Sequence, residues 1–252
     1  MRTVLLLVAL LAASADAREA EVLFAEGVQA YAAEDYQRAM ELFEQAAGQQ
    51  PTVSRYHHWF GKACGRRAQR VFFTRAIGLA KKVRASFERA VELDGSNVQA
   101  LADLSEYYLE APRFLGGGEE KARSVAGRLS KLSPAEGHRV EATILANRKD
   151  YAGAERAYRQ SLELEPASIR RRIDLALFLA ERGGHAEASE MLEQTAALAP
   201  DSPEVLFARG KQLALSKKDP ALARRLLQQY LRAPRNPDHP PPSEVHALLR
   251  KL

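Results

Sequence analysis

The chain has 252 residues, 46% of them apolar and 27% charged, enough apolar material for one or two domains with a buried core and incompatible with a disordered tail or a disulfide-stapled miniprotein. Aromatic residues make up 7%, while Ala, Leu, Glu and Arg dominate, a balance that favours helices over a β-sandwich or barrel. A single cysteine, Cys64, excludes an intramolecular disulfide, and the net charge of +5 falls well short of a dedicated nucleic-acid binder.

Taken in chain order, Met1-Arg2, the apolar run Val4 to Ala13 and the small-x-small triplet Ala15-Asp16-Ala17 supply the three parts of a secretory signal. Residues 1–17 are therefore expected to be a cleaved signal peptide, leaving Arg18 first in a protein exported to the periplasm or secreted. Ten apolar residues reach about 15 Å as a helix against roughly 30 Å of hydrocarbon, too short for a membrane anchor. No cysteine stands at the cleavage site, so a lipoprotein anchor is not expected either. Cys64, set between Ala63 and Gly65 on an expected helix, reads as a buried packing residue.

Pro166, Pro200 and Pro234 are spaced 34 residues apart. With such a proline at position 32 of a repeating unit, the first unit places Gly27 at 8, Tyr36 at 17, Ala39 at 20, Phe43 at 24, Ala46 at 27 and Pro51 at 32. Small residues at 8 and 20 let two antiparallel helices cross closely, and a large residue at 24 fills the space between units. The period and these positions, above all the segment from Asp35 to Ala46, resemble the tetratricopeptide repeat family. The resemblance implies an all-α fold, a right-handed α-solenoid of antiparallel helix pairs, with about six pairs over residues 20–234.

The second unit runs from Ser54 to Gly95 and carries an insertion near 62–80; the third ends at Pro134 and carries one near 111–118. Within that second insertion, Gly116-Gly117-Gly118 reads as a flexible loop. The fourth unit keeps Tyr151, Ala154, Tyr158 and Pro166, the fifth Ala176, Ala188, Leu192 and Pro200. The sixth keeps Gly210 but has Leu222 where a small residue is expected, with Ala223 one place late. Residues 235–242 form a Pro-rich linker, and residues 243–252 a capping helix started by Ser243, with Val245, Leu248, Leu249 and Leu252 on one face. A coiled coil does not fit, because the apolar positions keep no seven-residue period.

No His-Glu-x-x-His, Gly-x-Ser-x-Gly or Gly-x-x-x-x-Gly-Lys-Ser/Thr motif occurs, so neither a reaction nor a cofactor is expected. His57 and His58 are neighbours about 100° apart on a helix, with no third ligand at helical spacing, and no metal is expected there. In the repeat family, ligand contacts come from positions 5, 9 and 12 of the first helices. Here the expected groove residues are Phe24, Val28 and Tyr31, then His58 and Lys62, then Leu101, Ser105 and Tyr108. Further along they are Arg139 and Thr143, Ile173 and Leu177, and Phe207 and Lys211. Val28 stands where the family's Lys-Asn clamp for chaperone C-termini needs Asn, so that ligand is not expected.

The blocks Tyr56 to Gly65 and Leu79 to Asp94, with the loop from Ala111 to Gly117, are similar to exported bacterial tetratricopeptide proteins of unknown function. The expectation is thus a non-enzymatic scaffold that binds a protein or peptide in its concave groove, with no small-molecule substrate. The alternative rests on residues 61–87, which hold eight bases and no acid. There Arg66, Arg67, Arg70, Arg75, Lys81, Lys82 and Arg84, interleaved with Val71-Phe72-Phe73 and Ile77, would meet an anionic surface of lipid headgroups, envelope polymer or nucleic acid.

Overall fold

In the computed structural model the backbone is described for residues 2–252 and the side chains for residues 16–252. The expected signal peptide, residues 1–17, lies outside the described side chains except for Asp16 and Ala17. The described residues are all-helical and form two compact units, Met1–Leu132 and Ser133–Leu252. No helix among them is long and apolar enough to cross a membrane.

The first unit pairs α1 (Arg2–Ala32) with α2 (Tyr36–Gln49), α3 (Ser54–Ala68) with α4 (Phe73–Leu93), and α5 (Val98–Glu110) with α6 (Glu119–Leu132). The second pairs α7 (Pro134–Asn147) with α8 (Tyr151–Leu164), α9 (Ile169–Glu181) with α10 (His185–Leu198), and α11 (Pro203–Ser216) with α12 (Pro220–Arg232), and ends in α13 (Pro242–Leu249). Each pair is an antiparallel hairpin of the kind the repeat pattern implies.

The close crossings explain the small residues. A Cβ on Gly27 would lie 2.6 Å from the Phe43 ring, one on Gly61 2.6 Å from the Phe87 ring, and one on Gly210 2.8 Å from Leu227. In the third pair Ser105 takes that place, wholly buried and donating from its hydroxyl to the Ala122 carbonyl at 2.9 Å. In the sixth, Ala223 is fully buried, and its carbonyl faces Gly210. Hydroxyls also join the far ends of hairpins, Ser54 donating to the Ala90 carbonyl and Ser161 to the Ala135 carbonyl.

The helix starts are written in short polar side chains. Asp35, Asn97, Asp150, Ser168 and Asp219 each accept a backbone N–H from the first turn of the helix that follows, which satisfies a donor the helix cannot. The turns between paired helices share a feature that periodicity does not reveal. Glu34, Lys149, Gly183 and Lys217, with φ of 63°, 65°, 90° and 55°, all fall at position 15 of their units, and only one of them is glycine.

Two local expectations are corrected. The loop around Gly116 is tied down: Arg113–Leu115 is a 3-10 turn with Leu115 buried, and Gly118 N–H donates to the Tyr108 carbonyl at 2.8 Å. A Cβ on Gly117 would strike the Ala111 carbonyl oxygen at 1.8 Å, so this glycine serves close packing. Ser243 is not the cap of the last helix, which begins at Pro242 with Pro241 before it, because proline suits a first helical turn that lacks N–H acceptors anyway. Val245 of that helix is buried with Phe207, Leu227 and Tyr230, and Leu248, Leu249 and Leu252 pack against them.

Candidate functional site

The first unit contains an open groove between α3 and α5, with a volume of about 320 Å³. Lys62 and Arg66 of α3 form one wall, and Asp103, Glu106 and Glu110 of α5 form the other. Tyr31 from α1, Tyr107 from α5 and Val83 and Phe87 from α4 supply apolar surface. The two walls carry opposite charge because each helix presents residues three and four apart on one face.

Both walls are held in place. Lys62 Nζ sits 4.1 Å from the centre of the Trp59 ring and 5.9 Å from that of Tyr31, a cation–π arrangement that fixes the ammonium at the groove edge. Arg66 Nε donates to the Tyr31 hydroxyl at 3.3 Å. Under the groove, His58 Nε2 and Asp103 Oδ2 are 2.7 Å apart and couple α3 to α5. Tyr107 donates its hydroxyl to the Leu115 carbonyl at 3.0 Å, and burial pushes its phenol up from its ordinary value. Trp59 itself is ringed by Phe24, Tyr31 and Phe43 at centroid distances of 6.1, 5.4 and 5.8 Å.

Of the groove residues expected in this unit, Tyr31 and Lys62 line it. Phe24 belongs to the aromatic cluster, 5.1 Å from Tyr56, and Val28 is half-buried. His58 is 2% exposed and lies beneath the groove. On α5 the expected positions are displaced. Leu101 and Ser105 are fully buried in the hairpin, and Tyr108 faces the α4 and α6 side, where its hydroxyl donates to Glu88 at 2.7 Å. Since Ser105 occupies the close-crossing position, the face that meets α3 is Asp103, Glu106, Tyr107 and Glu110. Counting forward from Gly95 as position 32 puts Glu106 at position 9, and that signal was present in the spacing.

In the second unit, the expected residues are engaged within their own helix or by neighbouring helices. Arg139 Nε donates to Glu136 at 2.6 Å, and Arg171 Nη1 lies 2.5 Å from the other Glu136 oxygen. Burial alone would push Glu136 up, but Arg139 and Arg171 together hold it below the usual carboxylate range. Thr143 donates back to the Arg139 carbonyl. Ile173 is buried in the core around Leu175 and Ala176, with Leu177 packed against it. Phe207 lies in the core at 5.5 Å from the Tyr230 ring, and Lys211 Nζ is 3.0 Å from Glu181.

The basic stretch is also largely engaged. Arg70 pairs with Glu34 at 3.0 Å and lies over the Tyr36 ring, Lys82 pairs with Glu44 at 3.3 Å, and Arg84 lies 3.7 Å from Glu88 and donates to the Leu115 carbonyl. Arg84 also fills the space a side chain on Gly116 would need, so it acts as a clasp on the loop. Arg67 donates to Gln37 at 3.4 Å. Arg75 and Lys81 are exposed. Cys64 is fully buried, and burial pushes its thiol up to about 12, which keeps it protonated and unreactive.

Residues 145–211, the end of α7 through most of α11, match the tetratricopeptide repeat family. This stretch is made of tetratricopeptide repeats. A thermophilic tetratricopeptide protein of Thermus thermophilus is similar in fold, with a TM-score of 0.60, 22% identity, and coverage of 77% of this chain and 98% of that one. Yeast Tom70 is similar with a TM-score of 0.55 and 17% identity over 84% of this chain and 42% of its own. In sequence, this chain is 30% identical, over 57% of its length, to the Cellulose synthase 2 operon protein C of Komagataeibacter xylinus. It spans 12% of the length of that relative. The repeat units therefore provide stacked helix faces of the kind that present extended binding surfaces.

Proposed function

We propose that the protein is an exported, non-enzymatic tetratricopeptide scaffold that holds an extended segment of a partner protein in the groove between α3 and α5. The observation that carries this reading is the pair of oppositely charged walls, Lys62 and Arg66 facing Asp103, Glu106 and Glu110 around an apolar floor. An open cleft of this shape makes many shallow contacts along a chain and does not enclose a small molecule. A segment with an acidic residue toward α3 and a basic residue toward α5 matches the sign of charge on both walls. The secretory pattern of residues 1–17 supports export, and the name of the Komagataeibacter relative makes products of a polysaccharide-synthase operon the first partners to try.

Charge reversal tests the groove. The full chain is used to capture partners from an envelope fraction, beside the variants Lys62→Glu with Arg66→Glu and Glu106→Lys with Glu110→Lys. Loss of the same partner by more than tenfold in both variants supports the groove; a partner retained by both overturns it. Mass analysis of the exported protein checks the leader, with Arg18 expected as the first residue.

A further inference from the structure

At the turn between α3 and α5's neighbour α4, the chain exposes two adjacent aromatic rings. Phe72 is 82% and Phe73 67% exposed, although both are large apolar side chains that ordinarily seek a core. The extra residues of the second repeat cause this. They lengthen α4 to 21 residues, and its first turns, Phe73 to Arg75, remain exposed. Val71 and Ile77 are half-buried at the base of the tip. In the next repeat, the corresponding connection between α5 and α6 exposes Phe114 at 68% beside an exposed Arg113. In stacked antiparallel hairpins these connections share one edge of the unit.

Charge on the first of these turns has one sign. Residues 61–87 contain no acid, and the acids brought in from other segments, Glu34, Glu44 and Glu88, engage Arg70, Lys82 and Arg84. Arg75 and Lys81 are exposed, and their side chains form no ion pair among the described residues. Glu110, Glu119 and Glu120 flank the second connection, with Glu119 held by Arg123, so the cationic surface centres on Phe72 and Phe73.

We propose that this tip docks on an anionic lipid bilayer, with Phe72 and Phe73 at the boundary of headgroups and acyl chains and Arg75 and Lys81 against the lipid phosphates. Convex projecting rings flanked by cations suit a deformable interface that accepts apolar side chains and concentrates negative charge. A protein partner would instead have to supply a preformed pocket around each ring. Phe72, Phe73, Arg75 and Lys81 do not line the groove, so docking through them leaves the groove open to a partner.

The test uses the full chain carrying Phe73→Trp, mixed with vesicles of phosphatidylcholine alone or with about a third phosphatidylglycerol. The parent chain, with Trp59 as its one tryptophan, provides the reference. The expected result is a blue-shifted emission on anionic vesicles, quenched by bromine-labelled acyl chains, absent on phosphatidylcholine and lost at high salt. Arg75→Glu with Lys81→Glu is expected to weaken vesicle binding by more than tenfold, since each cation near an anionic surface contributes about fivefold. Phe72→Ser with Phe73→Ser is expected to weaken it while leaving thermal unfolding unchanged, because neither ring is part of the core. Three outcomes overturn the proposal: emission from Trp at 73 that stays as in water while the chain sediments with vesicles, which assigns attachment to residues 4–13; equal shifts on both vesicle types; or protection of the tip by a captured protein but not by lipid.

Discussion

His58 Nε2 lies 2.7 Å from Asp103 Oδ2, and this contact ties the basic wall of the groove to its acidic wall from below. The imidazole is 2% exposed, so a lost partner is not replaced by bulk water. Asp103→Ala is expected to destabilise the protein by about 1–3 kcal/mol, whereas Asp103→Asn, which keeps an acceptor, should cost less. Urea unfolding of the two variants checks the difference; equal losses would show that the contact adds nothing beyond side-chain volume.

Two glycines on neighbouring helices should respond in opposite directions to one added methyl group. At Gly61 a Cβ would lie 2.6 Å from the Phe87 ring, while at Gly78 it meets nothing within 4 Å. Gly61→Ala is expected to cost about 1–3 kcal/mol by overpacking. Gly78→Ala, inside α4 and exposed, is expected to gain about 0.5–1 kcal/mol from helix propensity. Denaturant midpoints measured side by side decide this.

The left-handed turn residues offer a second route to stabilisation. Lys149 and Lys217 adopt φ of 65° and 55°, where a Cβ is crowded against the backbone, whereas Gly183 serves the same position in the fifth unit at no such cost. Lys149→Gly and Lys217→Gly are each expected to raise stability by about 0.5–1 kcal/mol. A fall in melting temperature for both would contradict this.

Asp174 of α9 should make part of the stability depend on pH. Burial pushes its carboxyl up despite the nearby Arg170, Arg139 and Arg171. The folded protein then binds the proton more tightly than the unfolded chain, so the contribution of this group falls as pH rises from the unfolded value through the raised folded one. Asp174→Asn is expected to melt higher than the parent at pH 7, with the two converging near pH 3 or about one unit below the usual aspartate range. Glu136 has the opposite sign. Its lowered value contributes stability above the unfolded carboxylate range and loses it as pH falls through the folded one, so Glu136→Gln should melt lower at pH 7.

Cys64 is expected to resist alkylation in the native protein and to react only on unfolding, because its buried thiol stays protonated. Iodoacetamide labelling followed by mass analysis, with and without urea, checks this.

Much of the architecture was legible in the chain. The 34-residue spacing of Pro166, Pro200 and Pro234 and the small-to-large pairing of Gly27 with Phe43 are local consequences of two helices crossing closely, and sequence records them because only a few residue types fit. The caps at Asp35, Asp150 and Asp219 are equally local. What the tertiary structure decided is which side chains meet across more than 30 positions. Glu34 reaches Arg70 and Glu44 reaches Lys82, which neutralises part of a stretch that reads as uniformly basic. The face of α5 that forms the groove depended on Ser105 filling the close crossing against Ala122, one place from where the expected contacts lay. Periodicity specifies the helices, their spacing and, counted from Gly95, which face of α5 meets the groove, where a shift of one residue turns a helix face by about 100°; the partner of a charge is settled only by packing, because it comes from a distant part of the chain.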